Sequence, residues 1–308
     1  MILRDRPTGL KLFFLLRGSI MSRIKWVLLF NVVLALLVTL THGFLFQFKV
    51  TLTAIPFTLI GLPLAIFLGF RNSAAYDRYW EARKLWGELV LRCRNLNRQC
   101  LSLVQSPSGE PSELQVRMLH RAVAYCHALR VQLRGSADTQ AVSAMLSAAE
   151  WQSVAASTNR PAKLMLHMGA DLAECQRRGW IESPLSAKID DTLSAMTAAA
   201  ASCERIASTP LPFSYTLLLH RTAYIYCFLL PFGLVDILGP MTPLVVGVIA
   251  YTFFGLDALG DEIEEPFGAE PNDLPLDAIC RGVEIQMLEA LGETDLPPAL
   301  EPVDFCLT

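Results

Sequence analysis

Apolar residues gather in four long runs separated by polar, periodic sequence. Trp26 to Phe46 and Thr51 to Phe70 carry no ionisable side chain apart from His42 in the first. About 20 residues of helix rise about 30 Å, the thickness of a bilayer core. Two further runs follow much later: Phe213 to Val235, interrupted by His220 and Arg221, and Met241 to Leu256. Only Gln47 to Val50 part the first two runs, and Asp236 to Pro240 part the last two. Each pair therefore reads as an antiparallel membrane hairpin.

Between the hairpins the period changes. Tyr79, Ala82, Trp86, Leu89, Cys93, Leu96, Cys100 and Leu103 recur three and four residues apart, a seam that packs against another helix. The breaker Ser106 to Ser112 ends it, and Ser112 with Gln115 forms a capping-box pattern for a helix reaching about Leu133. After a loop at Gly135–Thr139, helices are predicted at Val142–Ala156, Ala162–Arg178 and Leu185–Ile206. NRP at Asn159–Pro161 and GWIESP at Gly179–Pro184 divide them. No internal repeat is visible. The pattern thus predicts an all-α membrane protein with four transmembrane helices and a helical cytoplasmic region. Its parts are a segment 1–25, a hairpin 26–70, a helical region 71–209, a second hairpin 210–256 and an acidic, proline-rich tail 257–308.

Composition agrees. The chain has 308 residues, 53% hydrophobic and 18% charged, where a soluble domain has about a quarter charged. A net charge of −3 gives no footing for nucleic acid. Arg4, Arg6, Lys11, Arg17, Arg23 and Lys25 precede the first run, and Arg71, Arg78, Arg83, Lys84, Arg92, Arg94 and Arg98 follow the second; the short turns carry only Lys49. The positive-inside rule then puts both termini and the middle region in the cytoplasm. The first run is of full membrane length with no small-residue cleavage site close behind, so no signal peptide is expected. The eight cysteines form no CxxC pair or metal spacing and read as buried thiols.

Enzymatic signals are absent: no HExxH, GxSxG, P-loop or GxGxxG occurs. His120 and His127 share a helix face without a carboxylate pattern around them. No cofactor and no confident metal ligand set is expected. Asp261, Glu262, Glu264, Glu265, Glu270 and Asp273 form an acidic block that is either a solvated linker or a loop for a hard cation. Leu62, Ile66 and Phe70 drift by only about 40° per step and share one face of the second run. Such a face packs against a neighbouring helix. In several copies ringing an axis, it instead makes an apolar collar that resists wetting. Pro56, Gly61 and Pro63 are expected to break the helix there, and broken backbone at membrane depth needs protein or water beside it. Asp77 and Glu81 continue that face below Phe70 as an acidic vestibule. Arg71, Arg78 and Lys84 lie close by, to pair with them or face headgroups, and Arg221 reads as a snorkelling or interhelical contact.

LGFRNSAAYDRYWEARKLWG (Leu68–Gly87), CERIASTPLPFSYTLLLHRT (Cys203–Thr222) and DEIEEPFGAEPNDLPLDAIC (Asp261–Cys280) resemble the bacterial branch of the bestrophin family. The resemblance implies a homopentameric ion channel in a lipid bilayer, with one axial pore and four membrane helices per subunit. It puts the narrow pore neck at Leu62, Ile66 and Phe70, and a cytosolic aperture at Leu185 or the adjacent Pro184. It matches Glu265, Glu270 and Asp273 to the calcium clasp of animal members, whose consecutive aspartates are here reduced to Glu270 and Asp273. Calcium and a structural latch between subunits are equal readings of that loop. The branch implies a preference for sodium and other monovalent cations such as potassium, with chloride, as in animal members, the alternative. A secondary transporter or a non-conducting scaffold are the remaining readings.

Overall fold

The computed structural model describes residues 1–4, 9, 18–42, 44–45, 48–49, 52–105 and 111–308. Arg6, Lys11, Arg17, Gln47, Val50 and most of the Ser106–Ser112 breaker lie outside the described residues. The chain divides into two compact units. The first comprises 4–79 and 210–265, and the second 1–3, 80–209 and 266–308.

The first unit holds α1 (Met21–Leu40), a two-stranded antiparallel ribbon of β1 (Phe44–Leu45) and β2 (Phe48–Lys49), and the start of α2 (Ala54–Leu103). It also holds α8 (Phe213–Leu238), a 3-10 turn at Gly239–Met241 and α9 (Thr242–Glu264). Leu64, Leu68, Leu219, Ala223, Cys227, Ala250, Phe253 and Phe254 form its main buried cluster. The fully buried Asn31 donates Nδ2 to the Cys227 carbonyl at 2.9 Å, which satisfies part of an amide that burial would otherwise penalise. The α8–turn–α9 segment, α1 and α2 are each long and apolar enough to cross a membrane.

Three expectations are corrected here. The first run is helical at Met21–Leu40 rather than Trp26–Phe46. It takes in Arg23, whose charge meets Glu262 at 3.8 Å. Pro56, Gly61 and Pro63 do not break α2, which stays helical from Ala54 to Leu103. Pro56 falls in the first turn, where the missing N–H has no intrahelical acceptor to lose. Gly61 instead makes room: a Cβ there would stand 2.8 Å from the Tyr226 hydroxyl. The fourth run extends past Leu256 to Glu264, because its added carboxylates meet buried partners described below.

In the second unit α2 continues from Trp80. With it are α3 (Glu113–Arg134), α4 (Gln140–Ser143), α5 (Ala148–Ala155), α6 (Arg160–Arg177), α7 (Ser183–Ser208) and α10 (Leu276–Ala290). The predicted seam is buried: Ala82, Trp86, Leu89, Cys93, Leu96 and Cys100 are at most 1% exposed. The Ser112–Gln115 capping box forms. Gln115 then does a second job, because its Nε2 donates to the Cys100 and Val104 carbonyls at 2.8 and 3.1 Å, satisfying the end of α2. Gly135 closes α3 in the left-handed conformation at φ 60°. The predicted Val142–Ala156 helix is in fact two, since the Ser147 side chain caps a new start by accepting from the Glu150 N–H.

The acidic tail is also corrected. It contains α10, whose Leu276, Cys280, Val283 and Met287 are buried, and whose Asp277 accepts from Arg134 Nη1 at 2.6 Å and from Arg130. Its last residues pair with the first: Ile2 bridges Cys306, and the Leu3 N–H donates to the Phe305 carbonyl at 2.8 Å. All eight cysteines are free; seven are buried as expected, and Cys306 is half-buried. Burial pushes the Cys203 thiol up to about 12.

Gly233→Ala should destabilise the protein by about 1–3 kcal/mol, as overpacking does. The added Cβ would collide with the Phe57 ring. A thermal midpoint equal to wild type would mean the ring swings clear. Burial raises the Asp277 carboxyl, but Arg134 and Arg130 outweigh it and hold the group below its ordinary 3.8. A depressed carboxylate stabilises the fold above its ordinary value and loses that contribution as pH falls through the depressed one. Asp277→Asn should therefore lower stability near neutrality and flatten its decline below pH 3.8, measured as midpoint against pH.

Candidate functional site

α2 turns two different faces outward and inward. Leu64, Leu68, Arg71 and Ala75 are at most 3% exposed, while Leu62, Ile66 and Phe70 are 66%, 48% and 62% exposed. Within one chain the trio is therefore not a packing stripe. The exposed face awaits a bilayer, water or another copy. The Phe70 ring meets Phe67 edge-on at 6.3 Å between centroids, and the Tyr215 hydroxyl donates to the Phe67 carbonyl at 3.0 Å. The lowest ring of the trio is thus braced from its own helix and from α8.

Arg71 follows Phe70 directly and is fully buried. Its Nη1 donates to Asp257 Oδ1 at 2.9 Å and to the Asp257 carbonyl at 3.3 Å. Its Nη2 pairs with Asp261 and stands 3.7 Å from Glu264 Oε2. Asp257 takes a second partner, His220 Nδ1, at 2.6 Å. Asn72 Nδ2 donates to the Leu256 carbonyl at 3.0 Å. Gly260 is required by this crossing, since a Cβ would lie 3.3 Å from Arg71 Nη1 and closer still to Asn72. Sequence reasoning assigned Arg71 an orientation role and either a pairing with Asp77 and Glu81 or a headgroup contact, and not this buried cluster. A readable signal existed: Asp257, Asp261 and Glu264 are spaced four and three apart, on one face of a predicted helix.

Asp77 and Glu81, expected to act together, separate. Asp77 is exposed and makes no ion pair among the described residues, whereas Glu81 pairs with Arg205 at 2.7 Å. Arg78 Nε donates to the Glu264 carbonyl at 3.3 Å, and neither Arg71 nor Arg78 pairs with Asp77. Lys84 is exposed two turns further on. Arg221 is exposed without an ion pair among the described residues.

Pro184 is exposed and Leu185 half-buried in the first turn of α7, with the Leu185 N–H donating to the Glu182 carbonyl at 3.0 Å. Glu265 ends α9 and is exposed. Glu270 is exposed, and its N–H donates to Oδ2 of the buried Asp273 at 2.7 Å. The Leu274 N–H closes the loop onto the Pro266 carbonyl at 3.0 Å. Asp273 is thus engaged in its own turn. Among the described residues no three His, Cys, Asp or Glu side chains form a group able to hold a metal. The loop does not fit a calcium cage built within one chain.

A family model described as Bacterial/Fungal Bestrophin protein matches residues 1–289. A voltage-dependent anion channel-forming protein of Mesorhizobium japonicum is 47% identical over 309 residues, 99% of this chain and 96% of the relative. Another of that description, from Escherichia coli, is 40% identical over 98% of each chain. The crystal structure of a bacterial bestrophin homologue from Klebsiella pneumoniae matches with a TM-score of 0.81 at 36% identity, over 88% of this chain and 99% of that one.

Arg71→Met should cost about 3–5 kcal/mol, because it strands the buried Asp257 charge. Asp261→Asn should cost less than about 1 kcal/mol, since that side chain is half exposed. Thermal midpoints of the two purified variants check this ordering; equal losses would sink it.

Proposed function

The chain belongs to the bacterial and fungal bestrophin family, and on that premise we propose that five copies ring an axis and pass small monovalent ions through a neck of Leu62, Ile66 and Phe70. One observation carries this reading. Three large apolar side chains stand exposed on the same helix whose opposite face builds the chain's own core. Fifteen such side chains around an axis, three from each of five copies, would form a dry collar that gates by wetting and dewetting. The relatives' channel-forming names support a channel rather than an enzyme. In this reading Leu185 or Pro184 forms the second constriction, the acidic loop latches neighbouring subunits, and both termini lie in the cytoplasm at the inner membrane.

The charge nearest the neck favours cations. Asp77 follows Phe70 by seven residues on the same face, about 10 Å along the axis, and is exposed without a partner among the described residues. Arg71 is buried among carboxylates and Arg78 is engaged with Glu264. Five Asp77 carboxylates below an uncharged collar would enrich sodium over chloride. A second reading, a chloride-passing pore of the same build, rests on the relatives' names as anion channels.

Bilayer recording under asymmetric NaCl separates the two. We expect a reversal potential near the sodium value, shifted toward zero in Asp77→Asn. A reversal near the chloride value would keep the collar and overturn the ion. Leu62→Ala, Ile66→Ala and Phe70→Ala should each raise single-channel conductance, and currents unchanged in all three would remove the neck.

A further inference from the structure

The outward face of α2 carries its charges below Phe70 in near balance, and one of them is supplied by another helix. α2 is continuous here, so a turn of about 100° per residue puts Asp77 and Glu81 within about 20° of Phe70 and Lys84 within about 40°. Asp77 and Lys84 are exposed, one heptad apart. Glu81 accepts at Oε1 from Nη2 of Arg205, on α7, at 2.7 Å. Arg78, flanking the face, donates to the Glu264 carbonyl, and Glu88 further down is held within the helix by Arg92 at 2.6 Å. Two carboxylates, Asp77 and Glu81, thus stand against two cations, Lys84 and Arg205. Without Arg205 the face keeps one unmatched negative charge per chain.

Arg205 sits in the last turn of α7, where a cation suits the helix dipole. Its neighbour Glu204 is taken by Gln132 Nε2 at 2.6 Å and Asn159 Nδ2 at 3.2 Å. Glu81 is the ion partner left to Arg205 among the described residues. Both side chains of the pair stand in water, 59% and 42% exposed, and both lie in one compact unit. An ion pair so exposed adds little to stability. Its larger consequence is electrostatic: at short range the guanidinium cancels the field of a carboxylate on the helix that carries Phe70.

We propose that Arg205 is a specificity-determining residue, which by compensating Glu81 sets how strongly the pore prefers cations over anions. The proposal rests on the pore reading above and adds that a residue outside α2 tunes the choice of ion. Rings of carboxylates favour cations and rings of Arg favour anions, so in five copies the pair holds the two tendencies in balance.

Reversal potentials of the purified full-length protein in bilayers under asymmetric NaCl test it. Arg205→Gln bares Glu81 and should raise the sodium-to-chloride permeability ratio about fivefold, the effect of a unit charge about 4 Å from an ion in water. Glu81→Gln leaves Arg205 uncompensated and should lower the ratio by a similar factor. The double variant should return to the wild-type ratio, and Arg205→Lys should keep it. These opposite signs hold whichever ion the wild type prefers. A mere tie between α2 and α7 would instead lower the thermal midpoint in both single variants and leave the reversal potentials unmoved, and that result overturns the proposal. So do shifts of the same sign from the two single variants, or a double variant that does not return. If Asp77→Asn shifts the reversal potential and Arg205→Gln does not, this inference alone fails. If no variant and no wild type carries current, the pore reading fails and this inference with it.

Discussion

Arg71 is buried without access to water, one residue beyond the last apolar side chain of the exposed trio, and the first unit is organised around keeping that charge satisfied. Removing a guanidinium from water costs several kcal/mol unless partners compensate it. Here Asp257, Asp261 and Glu264 converge on it from one face of α9. The demand extends outward. α9 must remain helical two turns past its apolar run to present those carboxylates, Gly260 must lack a side chain where α9 meets Asn72, and His220 of α8 must meet the second oxygen of Asp257. An ion cluster of this kind adds less to net stability than to uniqueness of register, because a slip of either helix would strand a charge.

Fixing Arg71 inward also fixes what points outward. Leu64, Leu68 and Ala75 are buried on its side of α2 and the two leucines enter the apolar cluster, so Leu62, Ile66 and Phe70 face away. The outward trio is thereby oriented by helix geometry and by a buried charge. The same logic separates Asp77 from Glu81: both continue the outward face, but Arg205 reaches only Glu81.

Much of this was legible in the chain. Apolar runs of membrane length, the three-and-four spacing from Ala82 to Cys100, and the Ser112–Gln115 box each depend on near neighbours, and each formed. Two of the misses share a cause, which is dependence on distant partners, and one is a local cap. The end of α9 looked like a tail because its carboxylates are expensive in a membrane-length helix unless a cation awaits them. Val142–Ala156 looked continuous because the Ser147 cap competes with helix propensity only weakly. α10 was hidden in an acidic, proline-rich sequence whose Asp277 is held by Arg130 and Arg134, over 140 residues earlier.

The sequence by itself determined the class of the protein and the shared face of Leu62, Ile66 and Phe70. Hydropathy over a bilayer's thickness and a four-residue period on one helix are local properties of a chain, fixed by the rise and turn of the α-helix. It also carried the family, through three blocks of residues. Only the tertiary structure decided which side of α2 is inside, which of Asp77 and Glu81 has no ion partner among the described residues, and that His120 and His127 stand beside Glu293 and Glu284. Those outcomes depend on burial and on ion pairs between residues far apart in the chain, and a charge's partner is set by where the backbone brings it.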